Sequence, residues 1–363
     1  MVAAFGFLLV SCGDDDEPVP MLEVSPENIQ LDDNNEGTLT ITSNTKWQVS
    51  STADWLAFST MSGVGDGQLT VRANGFSTSD RTAIVTIKGD NISRQAVVTQ
   101  VAQEKPSEPD TPTQADALTI NVAGVTFKMI RVEGGTFFMG ATAEQMNDAD
   151  GDEKPAHSVT LSSYYIGETE VTQQLWQVMT GQKPTSDGSQ WNSQYGLGDK
   201  RPAYYVSWDD CQEFIKKLNT LTGRTFRLPT EAEWEFAARG GNKSKGYKYS
   251  GSNTIGDVAW YQVNSYHKGS GSPDYGTHDV ATKQPNELGL YDMSGNVWEW
   301  CSDWYDSYSS EAQINPTGPT TGSGRVFRGG SWINYASNCR VSYRNLWLAG
   351  GRLSNLGLRL ALQ

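Results

Sequence analysis

Between Leu22 and Gln103 apolar side chains recur at every second position: Leu39 and Ile41, then Leu69, Val71 and Ala73, then Val85 and Ile87, then Val97, Thr99 and Val101. A period of two marks strands with one buried face, so this stretch predicts an antiparallel all-β unit. Turn-forming runs at Asp33 to Gly37, Ser62 to Gly67 and Gly89 to Asn91 separate the strands, at the spacing of a small sandwich. Beyond Leu118 the pattern becomes mixed helix and irregular strand. Thr172 precedes a helix carrying Leu175, Val178 and Met179, and Ser207 opens a second in which Cys211, Phe214, Ile215 and Leu218 form one apolar stripe before Gly223. Cys211 is thereby a core position. A third helix starts at Thr230, with Glu233 placed for a capping box, and stops at Gly240-Gly241.

Between the two regions, Glu104 to Ala117 carries Pro106, Pro109 and Pro112 among Ser, Thr, Asp and Glu. Such a composition cannot bury a core and favours extended backbone. The organisation expected is therefore a leader at 1–11, an acidic tether at 12–21, a sandwich at 22–103, a linker at 104–117 and a second domain at 118–363. With 363 residues the chain exceeds the usual size of one core, consistent with two folded units. The formal net charge of −14 repels phosphate backbones, and no Lys/Arg cluster offsets it, so nucleic acid is not an expected partner. Four cysteines without a CxxC pair and three scattered histidines exclude zinc sites of the finger or ribbon kind.

The apolar run Val2 to Val10 is too short to span a bilayer and ends in Leu9-Val10-Ser11-Cys12 before Gly13-Asp14-Asp15-Asp16-Glu17. This resembles a bacterial lipoprotein signal, although no Lys or Arg precedes the run. The resemblance implies lipidation of Cys12 and anchoring on the bacterial outer membrane, with surface export as in Bacteroidota lipoproteins. The order Trp47-Gln48-Val49-Ser50, Asp54-Trp55-Leu56, Arg81-Thr82-Ala83-Ile84-Val85 and Val98-Thr99-Gln100 resembles a BACON domain, an immunoglobulin-like module. Trp47 and Trp55 are open to either a carbohydrate-binding or a core role.

Four segments of the second domain stand in a telling order: Gly134 to Gly140 (GGTFFMG), Arg227 to Glu235 (RLPTEAEWE), Gly289 to Trp300 (GLYDMSGNVWEW) and Arg328 to Trp332 (RGGSW). They resemble the formylglycine-generating-enzyme (sulfatase-modifying factor) family, which implies an irregular α+β fold related to C-type lectins. In its aerobic enzymes two cysteines after the Gly-Gly-Ser-aromatic strand bind copper. Counting from Ser331, Cys339 takes the second position but Asn334 takes the first, and an amide cannot supply the soft thiolate that copper(I) prefers. Copper is not expected. An enzymatic role would fall on Cys339 with Ser331 and Trp298. The histidine-held iron of related sulfoxide synthases is not expected either, since His157, His267 and His278 lie far apart, and His157 reads as structural. The resemblance also implies calcium at Asp292, Gly295, Val297 and Glu299, through hard oxygen ligands; a turn held by its own hydrogen bonds is the alternative. A disulfide between Cys301 and Cys339 is expected for an exported protein, with two reduced thiols as the alternative.

The tail interleaves framework residues with Ile333, Asn334, Tyr335, Ser337, Asn338, Asn345, Leu346, Leu348, Leu353, Ser354 and Asn355. This resembles the variable proteins of diversity-generating retroelements, which present such positions on a lectin-like fold as a binding surface. Rigid aromatics among adaptable Asn and Ser suit recognition, while Leu346, Trp347 and Leu348 are open to a core role. The expectation is a surface lipoprotein that binds a protein or carbohydrate ligand and touches the membrane through its lipid anchor only. The alternatives are an oxidoreductase or maturation factor related to formylglycine-generating enzymes, and a scaffolding lipoprotein of an envelope complex.

Overall fold

The computed structural model describes residues 19–32, 35–74, 77, 79–102, 116–145, 148–184 and 191–363. Cys12, the leader, most of the tether and nearly all of the linker lie outside the described residues. Alternation builds the first unit from β1 (Leu22–Ser25), β2 (Asn28–Gln30), β3 (Glu36–Ser43), β4 (Lys46–Ser51), β5 (Leu56–Phe58), β6 (Ser62–Val64), β7 (Gly67–Ala73), β8 (Arg81–Lys88) and β9 (Ser93–Gln100). They form two sheets, β1-β3-β7-β5 and β2-β9-β8-β4-β6. Their inner faces share one core containing Leu39, Ile41, Leu69, Val71, Val85 and Ile87. In β9 the buried set is Ala96, Val98 and Gln100, one residue out of step with the expected Val97, Thr99 and Val101. The cause is pairing: Ala96 and Val98 lie opposite the inward Val85 and Ala83 of β8, and partners across a ladder share a face.

Trp47 belongs to this core, with its indole N–H donating to Gly65 O at 2.8 Å. The ring lies against Gly63, its partner in the β4–β6 register, where a Cβ would come within 2.2 Å of it. Trp55 is half-buried beneath the Arg81 guanidinium, 4.3 Å from the ring centroid. Neither ring offers a free flat face of the kind carbohydrate recognition needs.

The second unit contains β10 (Ala117–Val122), β11 (Val125–Val132), β12 (Gly135–Met139), β13 (His157–Leu161), β14 (Tyr164–Gly167), β15 (Phe226–Arg227), β16 (Trp298–Trp304), β17 (Gln313–Ile314), β18 (Arg325–Arg328), β19 (Arg344–Trp347), β20 (Leu356–Leu358) and β21 (Ala361–Leu362). Its helices are α1 (Gln173–Thr180), α2 (Trp208–Thr222), α3 (Glu231–Ala238) and α4 (Ile255–Val258). Three small sheets result: β10-β11-β14-β21-β15, β12-β13-β17 and β19-β18-β16-β20. The chain thus joins an all-β sandwich to an irregular, strand-rich α+β domain.

The helix boundaries follow their caps. Thr172 accepts from Leu175 N and α1 ends at left-handed Gly181; Ser207 and Asp210 form a capping box and α2 ends at left-handed Gly223; Thr230 and Glu233 cap α3 reciprocally. Cys211, Phe214, Ile215 and Leu218 are buried as the stripe requires. Val178 departs from its expected core place: it is exposed, and Trp176 fills the position instead, stacked on Phe214 at 5.0 Å.

Gly63→Ala is expected to destabilise the sandwich by about 1–3 kcal/mol through overpacking against Trp47. Thermal unfolding checks this, and an unchanged Tm would show that the ring moves aside freely.

Candidate functional site

The candidate site is built where two glycine-rich turns meet. In the first, Asp292, Gly295 and Asn296 all have positive φ; in the second, Gly329 and Gly330 do, and a Cβ on Gly330 would fall 2.5 Å from Cys339 Sγ. Gly295 N donates to Gly329 O at 2.8 Å and Trp332 N to Asn296 O at 2.9 Å, tying the turns together. The segment after Gly330 therefore leaves the sheet and lies across the domain surface.

On that segment Ser331 donates to Asn334 Oδ1, and Asn355 Nδ2 donates to Ser331 Oγ at 2.8 Å. Trp298 N donates to Asn355 O at 2.8 Å, and its ring packs against Phe327 and Tyr343. The structure thus brings Trp298, Ser331, Asn334 and Asn355 into one connected network, while Asn338 and Asn345 are half-buried. Tyr335 and Ser337 project from it into solvent, Ile333 and Ser354 are half-buried beside it, and Trp332 Nε1 reaches Ser354 O at 3.4 Å.

Two expected contact residues are placed differently. Asn355 is buried with its amide engaged by Ser331, and Leu353 packs against the main core while its carbonyl accepts from Tyr205 N. Leu346 is half-buried, its methyl against Gly324, whereas Trp347 and Leu348 are exposed where Trp208 N donates to Ala349 O. The 345–348 stretch is therefore divided between support and surface.

Sequence reasoning missed the loop that flanks this face. Gln262 N donates to Asn334 O at 2.9 Å and Tyr266 N to Trp332 O at 3.4 Å. Tyr195, Tyr266 and Tyr275 surround the buried Trp332 ring at 5.0–6.1 Å, and Val263 and Tyr266 remain exposed. Their aromatic content was the available signal, but nothing local ties them to Trp332, since the contact spans the whole second half of the domain.

The cysteine chemistry can now be tested on geometry. Cys211, Cys301 and Cys339 are all free and buried, so the expected Cys301–Cys339 bridge is not formed. Cys301 sits on β16 within the core cluster of Met293, Val326 and Val341, whereas Cys339 packs in a different cluster with Tyr249, Val258 and Ala259. Burial pushes the Cys339 thiol up to about 12, so it stays protonated and unreactive at neutral pH. With an amide at Asn334 hydrogen-bonded to Ser331, the residues present do not fit copper.

Of the residues the resemblance assigns to calcium, Glu299 is already engaged. Both Glu299 oxygens accept from Arg359, at 2.7–3.0 Å, and Oε2 also accepts from Trp234 Nε1 at 2.6 Å, so its charge is already matched. Asp292 accepts from Ala281 N through Oδ2. Its Oδ1 and both oxygens of buried Glu170, a residue sequence reasoning did not single out, have no hydrogen-bond partner. Burial and the facing carboxylates push Glu170 well above the ordinary range; burial, with Glu299 adding, pushes Asp292 to about 6.

This fold, a lectin-like α+β domain closed by the Gly-Gly-Ser-Trp turn, defines the class. Residues 115–363 match the sulfatase-modifying factor enzyme 1-like domain and residues 21–103 match the viral BACON domain. The chain belongs to the formylglycine-generating-enzyme (sulfatase-modifying factor) family. Among similar proteins, the chaperone protein LppX of Paenibacillus barcinonensis is 31% identical over 65% of this chain and 89% of its own length. The formylglycine-generating enzyme of Streptomyces coelicolor is 32% identical over 64% of this chain and 88% of its own. The solved Treponema denticola variable protein 1 superposes with a TM-score of 0.59 at 34% identity, covering 69% of this chain and 99% of that one.

Two measurements check this chemistry. In a Cys12→Ser variant, Ellman's reagent at pH 8 is expected to find no reactive thiol in the native protein and three after unfolding without reductant; a native thiol signal would contradict the burial. Because Glu170 and Asp292 hold protons more tightly folded than unfolded, their contribution is fully present below the unfolded pKa near 4 and is lost as pH rises through the folded values. Glu170→Gln in chelator is therefore expected to raise Tm at pH 8 by about 2–4 °C per kcal/mol recovered, with little effect at pH 4. A fall in Tm would show the carboxylate doing something other than opposing Asp292.

Proposed function

We propose that this chain is a cell-surface binding protein whose C-terminal domain captures a protein or carbohydrate ligand without turning it over. The observation that carries the reading is Asn334, whose amide is engaged by Ser331 where the enzymes of the family place a cysteine, with the remaining Cys339 buried as a thiol. What the same segment offers outward is contact area: Tyr335 is 66% exposed, and Val263 and Tyr266 stand exposed on the adjoining loop. Aromatic anchors amid Asn and Ser side chains supply large contact area at low entropic cost.

Several observations support the display side of the reading. In this reading the apolar run before Cys12 directs lipidation of Cys12, which anchors the chain to the outer membrane, and the sandwich with its proline-bearing linker spaces the binding domain from it. The likeness to a chaperone protein LppX and to the Treponema denticola variable protein 1 supports a lipoprotein or ligand-binding role. The likeness to the variable protein also supports retroelement-driven change at Asn334, Tyr335, Asn338 and Asn345. No helix among the described residues is long and apolar enough to cross a membrane.

The test is saturable binding to a glycan array and a panel of surface proteins, comparing wild type with Tyr266→Ala/Tyr335→Ala/Leu348→Ser. The triple variant is expected to keep its Tm and to lose at least about tenfold in affinity, some 1.4 kcal/mol. Unchanged binding, or product formation from a cysteine-containing peptide, would overturn the proposal.

A further inference from the structure

Away from that face, a cavity of about 500 Å³ opens between the ends of β16 and β19 and the loop after β17. Its volume lies in the range of small-ligand sites. Neighbouring residues on a strand face opposite sides, so Arg344 of β19 lines this cavity while Asn345 does not. The site already described does not use it.

Its lining is rich in acceptors and poor in donors. Three carboxyl groups, Glu231, Asp303 and Asp306, face one guanidinium, Arg344. Arg344 is already engaged: it grips both Glu231 oxygens at 2.7 and 2.6 Å and donates to Asp306 O at 2.7 Å. Glu231 also accepts from Tyr308 OH and lies 3.4 Å from Arg328, so its charge is matched. His157 lines the cavity with its ring against Tyr308, and burial holds its pKa below the ordinary value, leaving it neutral. An anionic ligand would find no free cation here.

Asp306 is exposed to solvent, its carboxylate accepting from Ser307 N, which leaves Asp303 as the buried carboxyl without a matching charge. Asp303 Oδ2 accepts from Glu231 N at 3.0 Å and Ser302 Oγ at 2.9 Å, and no donor among the described residues reaches Oδ1. The residue is 95% buried by the measure of its 5% exposure, yet it lines the cavity. Oδ1 lies beside Gly318, where a Cβ would sit 3.2 Å from it, and Gly318 has φ +70 and lines the same space. Arg325 of the same sheet is clamped between Trp208 and Trp304 at 3.9 and 3.7 Å and donates to Ser302 O, not to Asp303. Burial, then the charge of Glu231, lifts the Asp303 carboxyl to about 7. A positive charge in the cavity relieves both.

We propose that this cavity is a second ligand site, one that takes a primary ammonium group with Asp303 as its counter-ion and the side-chain-free Gly318 as the opening to it. Lysine side chains and amino sugars both carry that group and fit the volume. The ammonium donates to Asp303 Oδ1, and Ile314, Pro316 and Pro319 of the lining stand beside the ligand's apolar part.

The experiment titrates the full chain with Nα-acetyl-lysinamide and its uncharged isostere Nα-acetyl-norleucinamide, following the Trp304 indole N–H by NMR. A parallel arm with glucosamine and glucose separates the two sources of the amine. In the pair that binds, the ammonium-bearing member is expected to bind at least tenfold more tightly. Asp303→Asn, which keeps an acceptor for Glu231 N, and Gly318→Ala, which crowds Oδ1, are each expected to remove that preference. Tyr335→Ala on the other face is expected to leave it intact. Equal affinity for charged and uncharged members in both arms, no saturable shift in either, or a preference that survives both Asp303→Asn and Gly318→Ala would overturn the proposal.

Discussion

The second domain depends on buried arginine–carboxylate pairs. Arg328 meets Glu235, Arg340 grips Glu153, Arg344 grips Glu231 and Arg359 grips Glu299, each pair almost wholly out of solvent. Each guanidinium then uses its remaining donors on backbone carbonyls that no sheet satisfies: Arg328 on Ser342 and Val341, Arg340 on Ser337, Arg344 on Asp306, Arg359 on Gly167 and Tyr291. A chain this irregular leaves many carbonyls without ladder partners, and a five-donor planar group is the side chain suited to collecting them. Removing one partner would strand a buried charge at a cost of about 3–5 kcal/mol. The pairs are therefore best understood as what fixes the paths of the loops.

That anchoring separates framework from surface. Arg328, Arg340 and Arg344 pin the C-terminal stretch from beneath, so the exposed side chains between them, Tyr335 and Ser337, are relieved of holding the backbone in place. A binding surface on this fold can change its outward residues while its supporting contacts stay the same, as a recognition surface requires.

Much of this was legible in the sequence, and the parts that were not share a cause. Period-two runs and the cap residues Thr172, Ser207 and Thr230 located strands and helices because those signals are local. The β9 face was read one residue out because Val97, Thr99 and Val101 are the more apolar set, and only pairing with β8 reverses them. Asn334 was visible as a departure from the copper pair, but its bond to Ser331 and the remoteness of Cys301 from Cys339 depend on how two turns fold together. Glu170, Tyr266 and Asp303 carry no local mark at all, since each acquires its character from groups distant along the chain.

The three free thiols bear on durability. Outside a reducing cell interior, Cys211, Cys301 and Cys339 persist as thiols only because packing shields them. Opening the domain exposes all three at once, and a disulfide formed in any wrong combination would bar the way back. Such a protein ages by a rate, not by an equilibrium: its working life outside the cell is set by how seldom the arginine-pinned loops let go.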